Sequence, residues 1–326
     1  MLLTGRHNQT TGYVTNFVTT RHDEIGIGDA FARAGYRTAW IGKWHLHVGS
    51  YPSHRGPDYV PEGRDRLGFQ HWRGYDFHAD REWVEVSYRR YLAMTLALDD
   101  MVGEMLDNLE HRGVLDDTIF VFTSDRGSRM GAHHADPWMK CLPYEESILV
   151  PMVVRWPGVL KAGRTCDTLV APVDVLPSLC GLCAIPVPRS IEGYDVSDAW
   201  RGVDGAFEQE AVLTMNFLVS AEHNLAEWRG VRTKKYSYVR WLNGKAVLYD
   251  LENDPLQKDN LARDPEAREI RERMENRLRE PLSKRHDEFS AWTEYDGWLD
   301  NQRRIVRNAY GRMRHPESEP DWSLLT

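Results

Sequence analysis

The stretch Thr118-Ile-Phe-Val-Phe-Thr-Ser124-Asp125-Arg126-Gly127 decides the fold class. Its β-branched and aromatic residues are apolar on both faces, the pattern of a central parallel strand covered by helices on each side. The run stops at an acid followed by glycine. Working outward, Tyr88 to Arg112 reads as a long helix with Tyr91, Met94, Leu98, Met101, Met105 and Leu109 on one face and Gly113 as its stop, so that face is expected in the core. Upstream, Gly28 to Gly35 reads as a short helix closed by glycine. Tyr36-Arg-Thr-Ala-Trp-Ile-Gly42 then reads as a strand that delivers Lys43, Trp44 and His45 to its carboxyl end. The stretch from Gly49 to Asp80 is rich in Gly, Pro, His and Arg without period and is expected to be a loop. Val150 to Gly158 and Glu210 to Asn216 read as further strands. The expected architecture is therefore α/β, a mostly parallel central sheet flanked by helices.

The pattern changes near residue 225. Two strand-like runs, Arg229 to Leu242 and Lys245 to Leu251, flank Asn243-Gly244, a type I′ hairpin signal. A charged helix follows with Ile270, Met274 and Leu278 at four-residue spacing. The reading divides the chain into a larger domain over 1–224 and a smaller α+β subdomain over 225–326.

Composition narrows the function classes. The 326 residues are 41% hydrophobic and 28% charged, with a net charge of −8 and a pI near 5.9. That balance argues against nucleic acid or an anionic membrane as partner, since either needs a basic face. No long apolar run and no charged-then-apolar leader occur, so neither a membrane span nor a targeting segment is expected in this chain, and the cytoplasm is the expected location. Cys180-Gly-Leu-Cys183 has redox or metal spacing, but it sits in the apolar run from Val173 to Ala184 and reads as a buried helix.

In open α/β sheets ligands bind beyond the carboxyl ends of the strands, where the acids and cations of this chain collect. Several of these stretches, in order, resemble the sulfatase family. Met1-Leu2-Leu3-Thr4-Gly5-Arg6 resembles the back half of its signature C-x-P-S-R-x-x-L-L-T-G-R, and Gly42-Lys43-Trp44-His45-Leu46 its G-K-W-H-[LF] box. Thr123-Ser124-Asp125-Arg126-Gly127 stands where the family has T-S-D-[NH]-G, and Gly131-Ala-His133 resembles the G-x-H that follows. Lys140 through Tyr144-Glu145 to Pro151, with Pro157-Gly158, resembles K-x-x-x-[FY]-E and its proline-glycine sequel. Val173-Asp174-Val-Leu-Pro177-Ser178-Leu179 and Leu248-Tyr249-Asp250-Leu251, with Asp254-Pro255 and Asn260-Leu261, resemble structural marks of the same family.

The resemblance implies an alkaline-phosphatase-like fold and a sulfuric ester hydrolase that releases sulfate from a small-molecule ester. It implies Lys43, His45 and Lys140 as catalytic residues, with Lys43, Lys140 and His133 on the sulfate and Asp125 on a Ca²⁺ or Mg²⁺ ion. The nucleophile, a formylglycine made from Cys or Ser, would lie upstream of Met1. Arg126 departs from the pattern: a guanidinium has only donors and cannot coordinate a metal. It can be read as a fixed cation in place of metal charge, or as a lesion in an inactive or purely binding relative. The family's segment with a P-H-x-P box is nearly gone here, leaving His71 and His78 nearby. A phosphate or phosphonate ester hydrolase of the same superfamily is the remaining alternative, and Lys43-Trp44-His45 favours the sulfatase side.

Overall fold

The computed structural model describes residues 1–15, 18–44, 46, 60, 62–75, 88–129, 132–134, 141–217 and 227–325. In chain order the helices and strands begin with α1 (Asn8–Thr11), α2 (Ile27–Arg33), β1 (Ala39–Lys43), β2 (His71–Tyr75), α3 (Tyr88–His111), β3 (Phe120–Thr123), α4 (Glu145–Ile148) and β4 (Met152–Arg155). They continue with α5 (Val175–Cys183), α6 (Ser197–Arg201), β5 (Val212–Asn216), β6 (Trp228–Arg232), β7 (Tyr236–Trp241) and β8 (Ala246–Asp250). The last are α7 (Arg268–Lys284), α8 (Trp292–Tyr295), β9 (Arg307–Asn308) and β10 (Gly311–Arg312). Two compact units result: Met1–His78 with Thr168–Thr326, and Ala79–Asp167.

In the first unit β1 and β2 pair in parallel, from Ala39 opposite His71 to Lys43 opposite Tyr75. β2 corrects the expectation of a featureless loop from Gly49 to Asp80. The reason is packing: Trp44 stands edge-on to Trp72 at 4.7 Å and to Trp40 at 5.2 Å, and this aromatic contact holds the two strands side by side. Backbone approach from below fixes the same layer. A Cβ on Gly28 would meet the Leu67 carbonyl oxygen at 2.5 Å, and one on Gly68, at φ +83°, would meet Asp29 N at 2.2 Å. Only glycine lets α2 lie this close to residues 67–69. Asp29 caps α2 by accepting from Gly26 N at 2.9 Å.

α5 is the buried helix expected around the cysteine pair. Leu176 and Cys180 are 0% exposed, and burial pushes the Cys180 thiol up to about 12, so it behaves as a small hydrophobe. Its N-terminus is tied by Asp174, which accepts from Ala171 N and Gln209 Nε2 at 2.7 Å and from Tyr194 N at 2.8 Å. These bonds explain why an acid stands at the head of this apolar run, although burial still raises its proton affinity.

Strands β5 to β8 form one antiparallel sheet, and α7 packs on it through Met274, Leu278 and Leu282 against Val231, Tyr238 and Leu248. β5, expected in the larger parallel sheet, pairs instead with β6. The hairpin at Asn243-Gly244 is present but is not type I′. Gly244 N bonds Trp241 O at 3.0 Å, Trp241 N bonds Lys245 O at 2.8 Å, and only Gly244 has positive φ (+84°). It is a three-residue loop whose glycine supplies the left-handed turn. Asn260 Oδ1 accepts from Leu248 N and Ala262 N, each at 3.0 Å, which accounts for the asparagine that follows the L-Y-D-L run.

The second unit departs most from expectation. β3 pairs antiparallel with β4, Phe120 opposite Arg155, and its residues are half-buried; it is not a central parallel strand covered on both faces. Nor is the α3 stripe core: Tyr91, Met94, Leu98 and Met101 are exposed, Met94 to 67%. A helix of 24 residues is about 36 Å long, whereas a strand of four spans about 13 Å, so the β3–β4 pair alone is too short to cover it. Among the described residues no helix is long and apolar enough to cross a membrane.

Candidate active site

In the first unit the N-terminal motif is folded as a tight turn. Gly5 N bonds Met1 O at 2.8 Å, Gly5 has φ +61°, and Glu192 N reaches Gly5 O at 2.9 Å. Arg6 Nη1 pairs with Glu24 Oε2 at 2.7 Å. Glu24 is 2% exposed, and burial raises its carboxyl above the usual range while the Arg6 cation opposes the shift. Leu3 enters one buried cluster with Trp44, Val60 and Leu67, and Leu3 O accepts from Ile27 N at 2.7 Å. The L-L-T-G-R and G-K-W-H-L stretches are thus joined through a shared core, with Lys43 as the last residue of β1. His45, Lys140, Gly131 and His78 lie outside the described residues. His71 sits on β2, exposed, with Nε2 3.3 Å from Arg37 Nη2, a solvated neighbour pair with no further assignment.

His7 follows this motif and is 4% exposed, with Nδ1 lacking a partner. Burial, then the Arg285 cation, pushes its imidazole down to about 3. It is neutral in the folded protein and takes up a proton on unfolding below its ordinary value.

In the second unit the strand-end motif packs on α4 and its approach. Asp125 is exposed, two residues beyond β3. Gly127 N bonds Ser147 O at 2.9 Å, and a Cβ on Gly127 would sit 1.8 Å from the Glu146 carbonyl oxygen, so only glycine admits α4 at this point. Arg126 Nη1 donates to Gly127 O at 3.2 Å and Ser128 Oγ at 3.3 Å. The imidazole of His133 stacks on Tyr144 at 3.7 Å between centroids and 12° between planes. His133 Nε2 also stands 3.4 Å from Glu146 Oε2, an ion-pair distance without hydrogen-bond geometry. His133 has φ +59°, a left-handed backbone rare outside glycine, and the stack and Glu146 restrain it there. Arg129, 2% exposed and 5.8 Å from the Tyr144 ring, was not marked by any motif. The family resemblance marked Glu145, whereas Glu146 is the acid beside His133.

The implied metal fits these residues poorly. Arg126 occupies a ligand position with a donor-only group already bonded to its own loop, and among the described residues no group of three or more His, Cys, Asp or Glu could hold a metal ion.

The sulfatase family model matches residues 75–185, and that of the C-terminal part of N-sulphoglucosamine sulphohydrolase matches residues 135–284. An ulvan-active sulfatase from Formosa agariphila is 27% identical over 377 residues, covering 90% of this chain and 73% of the relative. An N-acetylglucosamine-6-O-sulfatase from Bacteroides thetaiotaomicron is 32% identical over 55% of this chain but only 33% of its own length. A structure solved with its substrate D-glucosamine-2-N,6-O-disulfate superposes with a TM-score of 0.71 at 20% identity, over 88% of this chain and 87% of that one. The chain belongs to the sulfatase family of the alkaline phosphatase superfamily. Its fold is the alkaline-phosphatase-like α/β class with a C-terminal subdomain.

Two outcomes follow. With the His7 pKa lowered from 6.5 to about 3, the unfolded state binds a proton that the native state does not, so stability is full above about 6.5 and falls as pH drops toward 3. Urea unfolding at pH 7 and 5 is expected to show a loss that His7→Asn reduces by about 2 kcal/mol; an unchanged loss would place the imidazole in water. Calcium titration by calorimetry is expected to give no saturable micromolar binding while Arg126 is present, and such binding would refute the reading of Arg126.

Proposed function

We propose that the chain carries out the work of a sulfuric ester hydrolase, releasing inorganic sulfate from a small organic sulfate ester, with a carbohydrate sulfate as the substrate class. The observation that supports it most is the shared core of Leu3 and Trp44, which joins the L-L-T-G-R and G-K-W-H-L stretches in one unit. The names of the relatives, an ulvan-active sulfatase and an N-acetylglucosamine-6-O-sulfatase, support the carbohydrate class.

In this reading Lys43, at the carboxyl end of β1, binds the sulfate oxygens. The family resemblance gives Lys140 a sulfate-binding role as well, and gives His45 the proton at the reacting hydroxyl, a task suited to imidazole near neutral pH. The resemblance also assigns to the sulfate His133, which stacks on Tyr144 and stands beside Glu146. A formylglycine supplies the nucleophile in this family. Arg126 supplies fixed positive charge beside Asp125 where a metal ligand would otherwise stand.

The test is sulfate release from N-acetylglucosamine 6-sulfate and 4-nitrophenyl sulfate, followed by ion chromatography. The protein is this chain extended at its N-terminus by a C-x-P-S-R segment and matured by a formylglycine-generating enzyme. Lys43→Ala is expected to lower kcat/KM at least about 100-fold. Faster turnover of the matching phosphate or phosphonate ester would move the chain to the sibling hydrolases, and no turnover of either would refute the enzyme reading.

A further inference from the structure

The sequence holds a single Asn-Gly pair, Asn243-Gly244, in the loop between β7 and β8. None of the residues assigned to the sulfate belongs to this loop. Leu242, Asn243, Gly244 and Lys245 are all exposed, so water reaches both the carboxamide and the peptide that follows it.

The loop brings an electrophile and a nucleophile together. Asn243 Oδ1 accepts from Lys245 N at 3.1 Å, an Asx turn that curls the carboxamide back over its own following peptide. Cγ is thereby held on the side of Gly244 N, the atom with which it can close a five-membered ring. The same hydrogen bond draws electron density from the carboxamide oxygen and favours attack at Cγ. Gly244 has φ +84°, and a Cβ built on it would meet nothing within 4 Å, so the space around such a ring is open. One contact opposes the reaction. Gly244 N donates to Trp241 O at 3.0 Å, and the nitrogen must lose that proton before it attacks. It is one bond at an exposed loop tip, where local opening costs least.

We propose that Asn243 is a site of spontaneous covalent modification, converting through a cyclic imide to aspartate and isoaspartate ahead of the other asparagines of the chain. Gly244 N gives up its proton and bonds to Asn243 Cγ, the Cγ–Nδ2 bond breaks, and Nδ2 leaves as ammonia with a proton in place of the bond it lost. Water then adds to one of the two ring carbonyls. Opening at Cγ leaves aspartate, and opening at the main-chain carbonyl leaves isoaspartate, with the backbone routed through the side-chain carbon. Each conversion places a new carboxylate next to Lys245. Asn260 and Asn308 make the contrast: Asn260 Oδ1 accepts from Leu248 N and Ala262 N, Asn308 is held by Thr10 O and Tyr310 N, and Leu261 and Ala309 follow them in place of glycine. The site is independent of the sulfate-ester reading, because the reaction needs only these two residues and water.

The test is peptide mapping by mass spectrometry of the whole chain aged under native conditions at pH 6 and pH 8, with isoaspartate distinguished by fragmentation. The peptide holding residue 243 is expected to gain about 1 Da, and to do so at least about tenfold faster at pH 8, because the attacking nitrogen must be deprotonated. Peptides holding Asn253, Asn260 and Asn308 are expected to keep their mass over the same period. Asn243→Gln, whose ring would need a sixth atom, is expected to remove the gain, and a thermal melt checks its folding. Retention of the amide at residue 243 in the folded chain would overturn the proposal, whether or not the urea-unfolded chain reacts there. Earlier reaction at another asparagine would overturn it too, as would an equal gain in folded Asn243→Gln.

Discussion

The glycine contact between α2 and residues 67–69 is the constraint from which the rest of the first unit follows. With Gly28 and Gly68 in backbone contact, Leu67 is driven into the layer above, where it packs against Leu3 and Trp44. A side chain at either glycine would separate α2 from the strand pair by ångströms, and the packed layer tolerates no such gap. Trp44 then fixes the register of β1 on β2 through Trp72, and the carboxyl end of β1 carries Lys43. A short-range steric condition thus bears on where β1 ends, at Lys43.

The second unit repeats this logic on a smaller scale. Gly127 allows α4 to press against the loop after β3, and that approach brings Glu146 and Tyr144 to His133. The imidazole is restrained by stacking and by charge, with its backbone left-handed. Arg126 folds onto its own loop, and Asp125 is exposed beside it.

Local patterns were legible where a single element satisfies itself. The α5 run, the α7 spacing of Met274 and Leu278 and the turn glycine of the β7–β8 hairpin all answer to short-range rules. Expectations failed where partners decide the outcome. Strand β2 depends on Trp40 and Trp44, far from it in sequence, and β3 takes its environment from β4. The family resemblance pointed to Asp125 and His133. It could not find Glu146 or Arg129, whose roles come from the fold of the loop and not from their neighbours in sequence.

The account turns on the claim that the L-L-T-G-R and G-K-W-H-L stretches form one energetic unit through Leu3 and Trp44. A double-mutant cycle of Leu3→Ala and Trp44→Ala, read by urea unfolding of the whole chain, tests it directly. Coupling of about 0.5–3 kcal/mol is the predicted result. Additive losses within about 0.3 kcal/mol would contradict the claim and separate the two motifs.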